Sequence, residues 1–398
     1  MMQAVLALNT GSSSVKFALY TEKGDSCNPQ LISKGEISGI PHTLSFSASG
    51  GKNEFVKHTI NVLNANFENA FDYLTNWIKE TFPLIELLAV GHRVVHGGSR
   101  YTQSVRIEQH ILNHLESLNP LAPLHQPHNL AGIRILQKSY PMLPQIACFD
   151  TSFHKTQPYI ATLFSLPKPL RDEGIRRYGF HGLSYQYISE TLSELIGDRS
   201  KSRVIVAHLG HGASMCALKD QKSITTTMGF TALDGLPMGT RSGTIDPGVI
   251  LYLLTEKGFS AQEVSTLLYQ KSGLLGLSGI SDDMRDLLIS KNPQAIDAVN
   301  YFCYRIQREL GSLVASLEGI DVLVFTGGIG ENSALIRQKI CNAAKWLNIQ
   351  IDELLNSSIS PKSTIKINHS TSQVEVWVIP TDEEIIIAKD TFKLISKE

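Results

Sequence analysis

Nowhere in this 398-residue sequence does an apolar run approach the ~20 positions that a membrane-spanning helix needs. The N-terminus has no basic stretch followed by an apolar one, so no secretory signal is expected and the expected location is the cytoplasm. Charge of one sign is also missing. Lys and Arg number 36 against 37 Asp and Glu, for a net charge of −1, which argues against nucleic-acid binding through a basic surface. Cysteine is sparse: Cys27, Cys148, Cys216, Cys303 and Cys341 are odd in number, scattered and without a C-x-x-C pair. They read as buried free thiols in a reducing compartment. Several motifs are absent. There is no G-x-x-x-x-G-K-[ST] and no H-E-x-x-H, and Ser333 stands where a G-x-G-x-x-G fingerprint starting at Gly328 needs its third glycine. P-loop and zinc-protease readings are thereby removed.

What is present is a large apolar fraction, 42% of residues, in a chain long enough for two domains. Ala4-Val5-Leu6-Ala7-Leu8 leads into the small polar turn Asn9-Thr10-Gly11-Ser12-Ser13-Ser14 and then Val15–Tyr20. This is strand, tight turn, strand, and a turn so rich in hydroxyls and uncovered N–H groups can cradle a phosphate. The pattern returns at Val204–Ala207, His208-Leu209-Gly210-His211-Gly212-Ala213-Ser214 and Met215–Leu218. Two such units predict a duplicated α/β fold with a nucleotide between the halves. On the second strand of the first unit, Lys16, Ala18 and Tyr20 share one face, expected to lie opposite the buried face of Val15, Phe17 and Leu19.

Helical spacing predicts a helix over 67–82, stopped by Pro83. Further helices are expected over 107–118, 129–137 and 184–196, with a proline-rich loop over 120–127. Leu87–Gly91 and Ile146–Phe149 read as strands, the second ending on Asp150, and sites in α/β folds gather at such strand ends. Gly229 to Pro247 reads as a functional loop. Val322–Phe325 is a buried strand entering a glycine turn, Gly327-Gly328-Ile329-Gly330, and a helix to 347. A last strand over 374–379 precedes a terminal helix.

The chemistry-bearing residues each admit two readings. The Gly327–Gly330 turn is either a nucleotide-binding helix entrance or a plain tight turn. Arg93 and Arg241 sit among glycines, where a guanidinium can grip a carboxylate or phosphate, or else form surface ion pairs. The pairs His92/His96, His125/His128 and His208/His211 lack further ligands for zinc and read as polar lining of a phosphate-handling cleft. Asn9 and Glu383, oxygen donors at strand ends, suit Mg²⁺ beside phosphate.

Taken in order, Asn9–Lys16, Gly91–Gly98, Phe149–His154, Arg177–Gly182, Met238–Arg241, Asp283–Asp286, Gly327–Asn332 and Pro380–Glu384 resemble the acetate kinase family over essentially the whole chain. The resemblance implies a duplicated two-domain actin/hexokinase-like (ribonuclease H-like) α/β fold with the active site in the interdomain cleft. It implies one domain over 1–150 plus 383–398 and a nucleotide-binding domain over 151–382. The implied reaction is ATP-dependent phosphorylation of acetate to acetyl phosphate, with Mg²⁺ (Mn²⁺ able to substitute) and a homodimeric enzyme.

By the same resemblance Asp150, His181 and Arg241 are catalytic, and Arg93, Val95, Leu124 and Phe180 take the acetate. Lys16, His208, Leu209, Gly210, His211, Gly212, Asp283, Met284, Arg285, Gly328, Ile329, Gly330, Glu331 and Asn332 contact the nucleotide, and Asn9 and Glu383 serve the metal. Because the acceptor is already an ionised carboxylate it needs no general base, so Asp150 is expected to orient an arginine or metal-bound water. Three positions depart from the family pattern: His211 and Asp282 each replace a usual Asn, and Ala232 replaces a pocket proline found in some members. A propionate or butyrate kinase would share the phosphoryl machinery. A non-enzymatic actin-like ATPase would share the fold without needing both arginines, and a metal-dependent hydrolase is the weakest rival.

Overall fold

The computed structural model describes residues 2–22, 28–49, 55–62, 65–360 and 362–396. The chain forms two compact units, Met1–Phe153 with Asp382–Glu398, and His154–Thr381. The sequence-based divisions were 150/151 and 382/383.

The first unit is built on an eight-stranded sheet. Its strands are β1 (Met2–Thr10), β2 (Ser14–Thr21), β3 (Gln30–Ser38), β4 (Leu44–Ser49), β5 (Phe55–Ile60), β6 (Ile85–Val94), β7 (Val105–Arg106) and β8 (Gln145–Phe149). They lie in the order β5-β4-β3-β2-β1-β6-β8-β7. β1 pairs antiparallel with β2 and parallel with β6, which in turn runs parallel to β8. Leu6, Leu8, Phe17 and Leu19 face a core completed by Phe71 and Leu74 of helix Phe67–Thr81 and Leu136 of helix Gln126–Ser139.

The opposite face is covered as well. The last helix, Glu383–Ile395, packs on β1, β2, β6 and β8, and Ala18 and Tyr20 are fully buried. Of the face that Lys16, Ala18 and Tyr20 share, only Lys16, at the strand's start, is exposed. The approach of this helix depends on small residues. A Cβ on Gly91 would fall 2.2 Å from Thr391 Oγ1 and 2.5 Å from Ile387 Cγ2, so only glycine lets the helix lie this close to β6.

The second unit carries β9 (Val204–Leu209), β10 (Ala213–Lys219), β11 (Lys222–Thr226), β12 (Val322–Thr326), β13 (Ile365–Lys366) and β14 (Glu375–Val378), in the order β11-β10-β9-β12-β14-β13. The matching stretch of the first sheet is β3-β2-β1-β6-β8. In both, three antiparallel strands are followed by two parallel ones. The duplication read from the two hairpins is thus a duplication of sheet topology.

Several boundaries differ from expectation. The helix expected over 107–118 is Gln109–Ser117, and the one expected at 129 begins at Gln126, with Pro127 in its first turn. Proline suits that position because it lacks only a donor the helix would leave unpaired. Part of the expected loop 120–127 is therefore folded, beginning with the 3₁₀ turn Asn119–Leu121. Residues Gly327–Asn332 form a short helix of their own rather than a glycine turn. The four described cysteines, Cys148, Cys216, Cys303 and Cys341, are free and buried; Cys27 lies outside the described residues.

Candidate active site

In the first unit the parallel strands deliver their C-terminal ends to one edge. Asn9 sits opposite Lys16 in the β1–β2 register. Arg93 lies near the end of β6, and Asp150 follows β8 directly. Arg93 Nε and Nη2 donate to the two carboxylate oxygens of Asp150 at 2.9 and 2.7 Å, the fork geometry that makes such pairs strong. Arg93 Nη1 lies 3.4 Å from Glu383 Oε2, brought there by the first turn of the terminal helix. Asp150 is only 1% exposed.

Burial is the largest single influence on Arg93 and would lower its pKa, but the Asp150 and Glu383 carboxylates together raise it above the ordinary guanidinium value. Glu383 is pushed up to about 7, first by burial and further by Asp150 and Glu384, against the opposing pull of Arg93 and Lys16. Two buried carboxylates sharing one guanidinium leave this pocket short of positive charge.

The bracing around these residues was not legible in the sequence. Asn129 Oδ1 accepts from Val95 N at 3.1 Å, and its Nδ2 donates to Thr10 O at 2.7 Å. Gln126 Oε1 accepts from His96 N, and its Nε2 donates to His96 O. Both amides lie on the buried face of helix Gln126–Ser139, and buried amides three residues apart were the signal available. Lys34 ties the start of the terminal helix, reaching Asp382 Oδ1 at 3.4 Å and Glu384 Oε2 at 3.1 Å. Val95 is buried and Leu124 half-buried in the turn before helix Gln126–Ser139.

One of the three histidine pairs, His92 and His96, does not line an open cleft but is buried in the scaffold. His92 is buried with Nε2 2.8 Å from the Gln145 side-chain amide, and burial lowers its pKa to about 4. His96 is buried with Nδ1 accepting from Gly98 N. Both are neutral scaffold groups. Among the described residues no three His, Cys, Asp or Glu side chains converge as a metal-ligand cluster.

In the second unit the β9–β10 turn and the segment after β12 come together, because β9 and β12 are parallel neighbours with His208 beside Thr326. Gly210 N donates to Gly212 O at 3.1 Å, closing the turn. A Cβ on Gly210 would lie 3.7 Å from Gly328 N, and one on Gly328 would meet nothing within 4 Å. The backbone at Gly328 thus faces open space. Leu209 and Gly330 are buried, Ile329 half-buried and Asn332 exposed, with Asn332 Nδ2 donating to Gly328 O.

His181 starts helix Gly182–Ile196 with φ +57° and places Nδ1 2.8 Å from Ser214 Oγ. Its ring stacks on His208, with centroids 4.3 Å apart, and His208 Nδ1 meets Ser184 Oγ at 2.9 Å. Phe180 is buried, its carbonyl 2.9 Å from His154 Nε2.

Arg241 is half-buried, and its Nη1 donates to Ala232 O at 3.0 Å. The loop around it is well anchored. Met238 N donates to Arg241 O, Gly239 N to His211 O, Ser272 N to Thr240 O and Leu274 N to Met238 O. Asp283 caps the short helix Met284–Ile289, and its carboxylate accepts from Arg285 N at 2.8 Å and Nη2 at 2.5 Å. The bond from Arg285 lowers the Asp283 carboxyl to about 2. Met284 is buried and Arg285 largely exposed.

Glu331 turns its carboxylate onto main-chain donors. Its Oε1 accepts from Gly327 N at 2.9 Å and from Thr381 N at 3.1 Å. Arg337, fully buried and also missed in the sequence, donates to the carbonyls of Gly330 and Glu331. These contacts are why residues 327–332 wind into a helix.

A family model for the acetokinase family matches residues 4–389. The chain belongs to the acetokinase family. An acetate kinase of Rhodopseudomonas palustris is 49% identical over 395 residues, covering 99% of each chain. The crystal structure of Porphyromonas gingivalis acetate kinase matches with a TM-score of 0.86 at 36% identity, over 99% of this chain and 100% of that one. A propionate kinase structure from Francisella tularensis matches with a TM-score of 0.88 at 38% identity, over 98% and 99%. This acetokinase-family chain is therefore an enzyme of the kinase class with that family's two-domain α/β fold, and the non-enzymatic module is set aside.

Proposed function

We infer that the protein catalyses reversible transfer of the γ-phosphoryl group of ATP to acetate, giving acetyl phosphate and ADP by direct in-line displacement. The observation that carries this reading is Arg93, held in a fork by buried Asp150 while its Nη1 end already faces a second carboxylate, Glu383, at 3.4 Å. A guanidinium so oriented suits a small carboxylate, and it supplies alignment rather than a proton. Asp150 is then a positioning residue. Val95 and Leu124 would contact the acetate methyl, the role that the family resemblance also implies for Phe180.

The transferring group is metaphosphate-like and needs positive charge and in-line geometry. His181, its ring oriented by Ser214 and by stacking on His208, and Arg241, on a loop fixed by main-chain bonds, are assigned that role. The 208–212 turn, Asp283–Arg285 and Gly328–Asn332 would take the nucleotide, with Glu331 acting through the backbone it holds.

Asn9, at the end of β1, and Glu383, beside Arg93, offer hard oxygen donors. Mg²⁺ fits them, since it keeps waters and binds substrate phosphates alongside one or two carboxylates. It would supply charge to the phosphates, and Mn²⁺ would serve similarly.

A homodimer is supported by helix Pro247–Thr255, which buries no residue and exposes Val249, Leu251 and Tyr252 at 41%, 61% and 51%. Such a face asks for a partner. A cytoplasmic location is supported by the four free buried thiols. No helix of the described residues is long and apolar enough to cross a membrane. Propionate is a second acceptor, favoured by the small side chain of Ala232, whose carbonyl accepts from Arg241 Nη1.

The test is acyl phosphate formation, trapped as the hydroxamate, from acetate, propionate and butyrate with wild type and Arg241→Ala. Acetate should lead and butyrate be poor, and Arg241→Ala should lower turnover by ~10²–10³. No acyl phosphate from wild type, or near-normal turnover by the variant, sinks the reading.

A further inference from the structure

Two departures from the family pattern, far apart in sequence, meet in the second unit. His211 Nε2, on the β9–β10 turn, lies 3.0 Å from Asp282 Oδ2. The imidazole closes over Gly239, where a Cβ would come within 2.6 Å of His211 Cδ2 and Nε2 and 3.1 Å of Asp282 O. Gly239 N also donates to His211 O at 3.0 Å. Glycine at 239 is thus what lets the two side chains join, and the joined pair links the turn to the segment that opens helix Met284–Ile289.

Each residue alone is awkward for an anionic ligand. Asp282 adds a carboxylate next to Asp283. The guanidinium of Arg285 does not offset it, because its bonds run to Asp283. His211 places a bulky ring at the tip of a turn otherwise made of glycines.

We propose that His211 and Asp282 are a matched pair that sets affinity for the nucleotide polyphosphate: the imidazole engages the Asp282 carboxylate through Nε2 and so keeps it from facing the phosphates. The pair also holds the ring against Gly239 and away from the mouth of the turn. Both are positioning residues, and the inference rests on the nucleotide reading of the 208–212 turn and Asp283–Arg285.

The test is a four-protein cycle of wild type, His211→Asn, Asp282→Asn and the double variant. Calorimetry of ADP binding and KM for ATP are measured at low and high salt. The side chains are 62% and 45% exposed, so all four should fold, and melting curves verify this. His211→Asn, which leaves the carboxylate without that partner, should weaken ADP binding about three- to fivefold at low salt, the scale of an exposed ion pair. The loss should shrink in ~0.5 M salt, where screening acts within a few ångströms. Asp282→Asn alone should not weaken binding, and the double variant should return toward wild type.

Additive effects in the cycle, or a His211→Asn loss that salt leaves untouched, overturn the pairing while the kinase reading stands. A wild type that binds no ADP overturns the nucleotide reading and this one with it.

Discussion

Replacing Arg93 by Ala separates the ion pairing the structure shows from the substrate role proposed for the same side chain. The guanidinium makes two short charged bonds to Asp150 and lies 3.4 Å from Glu383. Removing it leaves two carboxylates facing each other in a buried pocket. Breaking a buried ion pair costs about 3–5 kcal/mol when one charge is left uncompensated. Here the loss is limited, because Glu383 already titrates at about 7 and can take up a proton instead of remaining ionised beside Asp150. We therefore expect a loss of about 2–3 kcal/mol at neutral pH, a fall in Tm of roughly 5–10 °C for a unit of this size, and a protein still folded at room temperature.

Activity should fall further, by ~10²–10³ in kcat/KM for acetate, as expected when a charged stabiliser is removed. The two effects part company in Arg93→Ala/Asp150→Asn. Converting the orphaned carboxylate to an amide should restore about half of the lost stability and none of the activity. Calorimetric melting and hydroxamate kinetics on the three proteins decide it. A double variant no more stable than Arg93→Ala refutes the buried-pair reasoning, and near-normal turnover by Arg93→Ala refutes the substrate role.

Val95→Ala should raise kcat/KM for propionate relative to acetate by about tenfold, since one methylene in a pocket is worth ~1–3 kcal/mol; an unchanged ratio means Val95 is not the gate. Gly328→Ala adds a methyl into open space, so it should melt within a few degrees of wild type yet weaken ADP binding, and equal affinity would show that no phosphate approaches there. His92 has a folded pKa of about 4 against an ordinary 6.5. The unfolded chain therefore binds the extra proton, and His92's contribution is complete above pH 6.5 and lost as pH falls toward 4. That is roughly 3 kcal/mol over the window, and a His92→Asn variant whose melting shows the same acid dependence would contradict it.

Much of this was readable in the sequence for a physical reason. The two hairpins are local, so their apolar strands and polar turns lie within about twenty residues of each other. Asp150 was legible because it ends a short apolar run. Long-range partners were not. Nothing near Arg93 in sequence announces that Glu383 will lie beside it, and nothing in the alternation of β2 shows that Ala18 and Tyr20 are covered by the far end of the chain. Strand periodicity reports that a face is apolar, not which element covers it. The helix at Gly327–Asn332 was missed for a similar reason. Its glycines favour a turn, and the groups that wind it into a helix are Glu331, reaching Thr381 N, and Arg337, buried below. The pairing of His211 with Asp282 was likewise invisible, since seventy residues of chain separate two changes that were each read alone.

The terminal helix gives the chain an unusual order of assembly. Residues 154–381 of the second unit are contiguous in the sequence. The first unit is not. Its sheet is synthesised first, yet one face of that sheet and the third member of the Arg93–Asp150–Glu383 group belong to residues 383–395. Until those residues are made, Ala18 and Tyr20 have no cover and Arg93 has one carboxylate instead of two. The unit whose strands come earlier in the sequence is thus the one completed by a later helix, and Arg93 gains its second carboxylate partner, Glu383, only from that helix.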